Sequence, residues 1–437
     1  MSIGRQVFEF LKAASIQHAR CDFEVSMSIL KNRRRMLILL ALIVPILAVS
    51  FLEAGDMIGS KTAYAPAFYS TNIFLVSIAI GLCAGLITGC IGAGGGFIMT
   101  PALMSVGVKG IMAVGTDLFH IFAKAIMGTA VHKKLGNVNV KLAMAFLVGS
   151  TAGSSVGGYI NQTLYRMSPT ISDMFINIVY VVLLGFLGFY AMADYMSLRK
   201  SREPVGAHTG ESAHGAEAAS GKKGITATLQ GIKIPPMITF DEDLVPGGNK
   251  ISGVFVAIAG AIVGLAAAIM GVGGGFLAFP LFVYVMGVSS FTTIGTDILQ
   301  IIFTAGWAAI SQYAIYGFVF YTLAMGMLIG SLLGIQLGAL TTKVVKGIHI
   351  RGFYAITILA GFVNRLFAMP AKLAEMKYID MSKQVGDYIN DAGTVIFFLV
   401  VGLFAVWVLK EFFGKVNSLR AEALGSQQAR GVELNPH

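Results

Sequence analysis

Apolar residues fall in long stretches along most of the chain, at about 36–52, 73–91, 97–108, 111–131, 139–160 and 174–196. They resume at 251–270, 276–287, 291–315, 318–341, 353–369 and 393–412. About 20 helical residues are needed to cross a ~30 Å hydrocarbon core. Most stretches approach or exceed that length and are expected to span a membrane as helices, whereas 97–108 and 276–287 are little more than half as long and read as half-helices. Residues 1–35 keep Ile3, Val7, Phe10, Leu11 and Ala14 on one helical face and end in Lys31, Arg33, Arg34 and Arg35. That pattern predicts a helix lying on the cytoplasmic membrane surface. The stretch 36–52 follows a polar segment longer than a signal peptide carries, so it is read as a retained extra first span. Residues 197–250 hold Gly, Ser, Ala, His and charges without a sustained apolar period, which predicts a mobile, soluble linker. An external loop at 370–392 and a final span with its tail at 393–437 complete the expected organisation.

The pattern occurs twice. Gly92-Ala93-Gly94-Gly95-Gly96-Phe97, closed by Pro101, returns as Gly271-Val272-Gly273-Gly274-Gly275-Phe276, closed by Pro280. Gly115-Thr116-Asp117 returns as Gly295-Thr296-Asp297, and Gly149-Ser150 with Gly153 and Gly157 returns as Gly330-Ser331 with Gly334 and Gly338. The offsets are 271−92=179, 295−115=180 and 330−149=181. Residues 73–196 and 251–369 are therefore two copies of one unit, and a duplicated, glycine-broken apolar unit is the pattern expected of a secondary transporter.

Composition supports the membrane reading: 56% of the 437 residues are hydrophobic, 12% are charged and the mean hydropathy is +0.76. A water-soluble globule could not bury that much apolar surface. The net charge of +10 does not point to nucleic acid, because the basic residues sit in short segments flanking apolar runs. They read instead as topology signals. Lys133, Lys134 and Lys141, the linker's basic set, Lys343, Lys346 and Arg351, and Lys410 and Lys415 assign their connections to the cytoplasm. Connections rich in Glu53, Asp56, Asp173, Glu375, Asp380, Asp387 and Asp391 belong outside. Both termini are then cytoplasmic, and the two repeats enter from opposite sides with inverted topology. That parity holds whether each glycine-linked pair crosses fully or forms a re-entrant hairpin. The fold class expected is an all-α polytopic membrane protein with two inverted repeats, glycine-broken half-helices and extra terminal spans.

A triple-glycine break at membrane depth leaves backbone amides that lipid cannot satisfy, so it must face protein or a polar cavity. The amides of Gly94, Gly95 and Gly96 and of Gly273, Gly274 and Gly275 would sit at half-helix amino-termini beginning at Phe97 and Phe276. Each such end carries roughly half a positive charge, and inverted symmetry would bring the two together as an anion site. The four-residue spacing of Gly149, Gly153 and Gly157, and of Gly330, Gly334 and Gly338, reads as helix packing. Asp117, His120 and Lys124 share one face of an apolar helix, where a central Lys or Asp costs roughly 2.5–3.5 kcal/mol. Either Lys124 neutralises Asp117, or Lys124 binds substrate while His120 and Asp117 bind it or carry protons. The equivalent positions in the second copy are Asp297, Gln300 and Thr304. With Gly92, Thr116, Gly271 and Thr296 these residues form the candidate substrate site. No cofactor, metal-ligand spacing, Walker loop, Ser-His-Asp array or dinucleotide fingerprint is present in the sequence. The three cysteines, Cys21, Cys83 and Cys90, show no paired spacing.

A doubled Gly-x-Gly-Gly-Gly-Phe…Pro, followed by Gly-Thr-x and then Gly-Ser-x-x-Gly-x-x-x-Gly, resembles the TauE/SafE sulfite-exporter family of membrane permeases over about residues 73–345. The resemblance implies transport of sulfite, sulfonates, thiosulfate or related anions. Asp117 and Asp297, the Asp117-His120-Lys124 face and the long central linker depart from the usual pattern. The expected function is a secondary carrier that moves a small sulfur oxyanion across the inner membrane by alternating access, coupled to a proton or ion. A membrane anion sensor or an anion channel is the alternative, and self-association into a homo-oligomer is compatible with either.

Overall fold

The computed structural model describes residues 71–91, 95–135, 139–201, 225–241, 248–342, 345 and 347–415. The expected surface helix at 1–35, the extra first span at 36–52 and the tail beyond 415 lie outside these residues, as do Gly92 and Gly94. The first repeat contains α1 (Thr71–Ile91), α2 (Gly96–Ser105), α3 (Gly110–Leu135), α4 (Val140–Met167) and α5 (Pro169–Ser201). A short α6 (Ile225–Gly231) and a hairpin of β1 (Met237–Phe240) and β2 (Asn249–Ser252) follow. The second repeat contains α7 (Gly253–Met270), α8 (Gly275–Pro280), α9 (Ser290–Trp307), α10 (Tyr321–Thr342) and α11 (Gly347–Glu375), and α12 (Lys383–Gly414) closes the described chain. In the second repeat α8 and α9 each continue into a π-helical stretch, Leu281–Val285 and Ala308–Ala314.

Five of these helices, α4, α5, α7, α11 and α12, are long and apolar enough to cross a membrane, and shorter apolar helices include Phe74–Cys90 and Gly96–Ser105. The half-helices appear where expected, each starting one residue earlier than its phenylalanine.

The two repeats exchange their packing. The most extensive helix contacts are α1 with α10 and α4 with α7, so the first helix of each repeat lies on the fourth helix of the other. The third helices α3 and α9 face each other, the fifth helices α5 and α11 pair, and α12 covers α11. The close approach comes from the glycines the sequence singled out. Gly330, Gly334 and Gly338 of α10 meet the backbone of Ile78, Leu82 and Leu86 of α1, and a Cβ placed on Gly85 would come 2.5 Å from the Ser331 carbonyl oxygen. Gly149, Gly153 and Gly157 of α4 meet Ala257, Ala261 and Leu265 of α7, while Gly260 and Gly264 answer from the opposite side against Phe146 and Ser150. Removing side chains lets the backbones touch, which is how helices associate when surrounding lipid is as apolar as leucine.

Three regions differ from expectation. Residues 225–241 and 248–250 of the expected linker carry structure: Ile238, Phe240 and Ile251 of the hairpin are buried against Leu142, Phe146, Val256 and Phe282, although each strand has only four residues. Asp241, at the end of β1, accepts from Ser289 N (2.7 Å), Ser289 Oγ (2.6 Å) and Thr292 Oγ1 (2.6 Å), and so holds the hairpin to the start of α9. Asn139, whose side chain caps α4 through Leu142 N (3.0 Å), donates from its amide to Thr239 O (3.1 Å). The hairpin is thus tied to both repeats. The expected external loop at 370–392 is largely helical, since α11 runs to Glu375 and α12 begins at Lys383 with Ser382 as its cap. Its charged residues lie mostly on helical turns that continue past the apolar cores. Arg351, read as a flanking topology charge, is instead 5% exposed inside α11 and paired with Asp194 of α5 at 3.1 Å.

Candidate functional site

The two glycine breaks meet. The rings of Phe97 and Phe276, second residues of α2 and α8, stack with centroids 5.0 Å apart and an interplanar angle of 19°. A Cβ on Gly96 would fall 2.8 Å from Val272 Cα in the other break. Both half-helices begin from left-handed glycines, with φ of +38° at Gly95 and of +83°, +69° and +92° at Gly271, Gly273 and Gly274. Side chains other than glycine adopt such angles only under strain. The first-turn amides of each half-helix have no partner within their own helix and carry the positive end of the helix dipole.

The carbonyls freed where α7 ends are satisfied by side chains. Tyr313 donates to Ala268 O (2.5 Å), Asn161 donates to Ile269 O (3.1 Å), and Tyr180 donates to Met270 O. Irregular backbone inside a membrane protein requires such partners.

α3 runs along both breaks. Ile121 lies against Gly96 and Gly273, and its counterpart Ile301 on α9 lies against Gly275. Beside Ile121 are the polar residues singled out from sequence. Asp117 is fully buried and accepts from Thr100 Oγ1 of α2 at 3.0 Å. His120, also fully buried, makes a 2.8 Å hydrogen bond through Nε2 with Ser331 Oγ of α10. Its Nδ1 is 3.7 Å from Asp117 Oδ1, beyond hydrogen-bond contact but close enough for each to feel the other's charge. Asp117 Oδ1, His120 Nδ1 and Lys124 Nζ are all buried without a hydrogen-bond partner among the described residues.

The equivalent face of α9 is internally satisfied. Gln300 Nε2 donates to Asp297 Oδ1 (2.6 Å), Thr304 Oγ1 donates to Gln300 Oε1 (2.8 Å), and Thr304 Oγ1 meets Ser150 Oγ of α4 at 2.7 Å. None of those three residues has a polar side-chain atom left both buried and unpartnered. Each third helix reaches the Gly-Ser serine of the opposite repeat, but of these two equivalent faces the Asp117-His120-Lys124 one leaves buried polar atoms open and the Asp297-Gln300-Thr304 one does not, among the described residues. Thr116 and Thr296 have another role: their hydroxyls accept from Phe320 N (2.9 Å) and Asn139 N (3.0 Å), at the starts of α10 and α4. Both are committed to capping the opposite repeat's fourth helix.

Sequence reading missed Thr100, Ser150, Ser331, Asn161, Tyr180 and Tyr313. Only the two serines carried a signal, since Gly-Ser recurs at equivalent positions. It also missed Arg365 of α11, which is 2% exposed within an apolar run.

Membrane-length helices, broken helices meeting centrally and buried polar atoms left open within an apolar bundle define a multi-pass membrane protein of the transporter class. The chain belongs to the sulfite exporter TauE/SafE family, whose family model matches residues 77–365. It is 24% identical over 267 residues to the probable membrane transporter protein YjnA of Bacillus subtilis, covering 60% of this chain and 87% of that one. It is 31% identical over 97 residues to the probable membrane transporter protein YunE of the same organism, covering 20% of this chain and only 36% of YunE. A probable membrane transporter protein of Xylella fastidiosa is 25% identical over 160 residues, 36% of this chain and 59% of that protein. No solved structure matches.

Proposed function

We propose that the protein is a secondary transporter that moves a small oxyanion, a sulfur-containing one such as sulfite, sulfate, thiosulfate or an organosulfonate, across the inner membrane by alternating access. Both termini are cytoplasmic in this reading, and the two repeats have inverted topology. The observation that carries it is the open trio Asp117 Oδ1, His120 Nδ1 and Lys124 Nζ, on the helix that passes both glycine breaks. Two half-helix amino-termini contribute about one positive charge and Lys124 a second, which favours an anion where an uncompensated cation is costly. His120 and Asp117 hold ionisable atoms within 3.7 Å of each other and supply a place for a coupling proton. The exchanged packing of first and fourth helices supports rocking of paired bundles about a central site. The test is flux of labelled sulfite, sulfate, thiosulfate and organosulfonates in proteoliposomes. Saturable, gradient-driven uptake is expected; saturable binding without flux would instead indicate a sensor, and flux that does not saturate a channel.

A further inference from the structure

Away from the glycine breaks, one end of the bundle encloses a cavity of about 640 Å³ between the α2–α3 turn, the start of α5, the end of α11 and the start of α12. At its inner wall lies Arg365, 2% exposed. The guanidinium donates to Asn364 Oδ1 through Nε (2.8 Å) and Nη2, to Ser105 Oγ through Nη2 (2.7 Å), and to Asn177 Oδ1 through Nη1 (3.3 Å). Every one of these partners is neutral. Asp173, the nearby carboxylate on the cavity wall, is committed elsewhere: Oδ1 accepts from Gly110 N (2.8 Å) and Oδ2 faces Lys372 Nζ (3.3 Å).

A guanidinium has five N–H donors, and Nη1, with two of them, makes only the one long bond to Asn177. The cavity lining carries four cations, Lys109, Arg365, Lys372 and Lys383, against three carboxylates, Asp173, Glu375 and Asp387. A buried arginine without a carboxylate partner, at the wall of a cavity with surplus positive charge, is built to receive an anion. The planar fork of guanidinium matches two oxygens of an oxyanion, which a point-charge ammonium does not.

We propose that this cavity is a second binding site for a small free oxyanion, separate from the glycine breaks, with Arg365 as its ligand and Asn177 and Asn364 holding the guanidinium in place. The choice of oxyanion rests on the transport reading above. Arg365 contacts Ser105, the last residue of the half-helix that begins at the first break, so an anion here stands at the far end of α2 from the central site and is positioned to load it.

The experiment measures inorganic sulfate binding to the purified full-length protein by calorimetry, in the wild type and in the K124Q background, which weakens the central site. Asn177→Asp places a carboxylate beside Nη1 and neutralises Arg365 in situ while keeping the fold. It is expected to weaken sulfate binding by ~10-fold or more in both backgrounds, and Arg365→Gln should do the same where it folds. Arg365→Lys should recover only part of the affinity. A monodisperse N177D protein that binds sulfate as tightly as its parent overturns the proposal. So does full competition by phosphatidylglycerol in nanodiscs, which would assign the cavity to a lipid headgroup. Arg365-dependent sulfate binding in a protein that gives no flux would sink the transport reading and leave this site standing.

Discussion

Phe97 and Phe276 lie 276−97=179 positions apart in the chain, yet their rings stack at 5.0 Å and are 1% and 2% exposed. They occupy equivalent positions in the two repeats, so the stack joins the same point of each half-helix. Stacked aromatic pairs contribute ~0.5–1.5 kcal/mol beyond area burial. Phe97→Leu and Phe276→Leu should therefore show a coupling of that size in a double-mutant cycle of unfolding free energies. Strict additivity would mean that the two half-helices do not hold each other.

Lys124→Gln should leave the protein folded and weaken anion binding by ~5- to 150-fold, about 1–3 kcal/mol, because the half-helix amides remain. If Lys124 served only to neutralise Asp117, the single variant would be destabilised, and adding Asp117→Asn would restore stability and binding together. Affinity and melting temperature of both single variants and the double decide between the roles.

The unequal satisfaction of the Asp117-His120-Lys124 and Asp297-Gln300-Thr304 faces predicts unequal responses to one substitution. Ser331→Ala removes the hydrogen-bond partner of His120 Nε2 and leaves a fully buried imidazole with neither nitrogen bonded, at a cost of about 1–3 kcal/mol. Ser150→Ala leaves Thr304 still bonded to Gln300 and should cost about 1 kcal/mol or less. Chemical unfolding of the two variants gives the comparison, and equal losses would contradict the asymmetry.

Asp241→Ala removes three hydrogen bonds at the start of α9. The loss expected is ~2 kcal/mol or more, because bonds to a charged acceptor are the stronger kind. Limited proteolysis should then cut within residues 232–252 well before the wild type is cut. Unchanged protection would mean that the buried apolar face of the hairpin suffices to hold it.

For topology, cysteines replacing the exposed Lys250 and Lys377 should react with an impermeant reagent from opposite faces of the membrane, Lys250 from the cytoplasm. Labelling of both from one face would remove the inverted arrangement of the repeats.

The architecture was legible to the extent that it rests on repetition and on small residues. The doubled glycine signatures marked both breaks, and the four-residue glycine spacing marked the helix faces at which α4 meets α7 and α10 meets α1. What escaped notice depended on contacts between distant segments. Ser150 and Ser331 acquire their role only because each repeat reaches into the other. Arg365 carried no local mark, since one cation in a long apolar run looks like any other until the cavity beside it is seen. The hairpin has strands too short, within a polar segment too long, for alternation to stand out. Arg351 belongs to a helix and not to the connection the charge pattern assigns it to, because α11 begins before it and brings it against Asp194.

The exchange of first and fourth helices also sets an order of events during biosynthesis. Gly81 and Gly85 on α1 have their partner surface on α10, which reaches the ribosome exit ~250 residues later (330−81=249), a delay on the order of ten seconds or more at ~5–20 residues per second. For that interval the newly inserted first half carries bare glycine grooves open to lipid and to other nascent chains. Maturation of this protein is therefore a post-insertion assembly step, and a truncated chain lacking α10 would leave the glycine face of α1 without its partner at every point in its life.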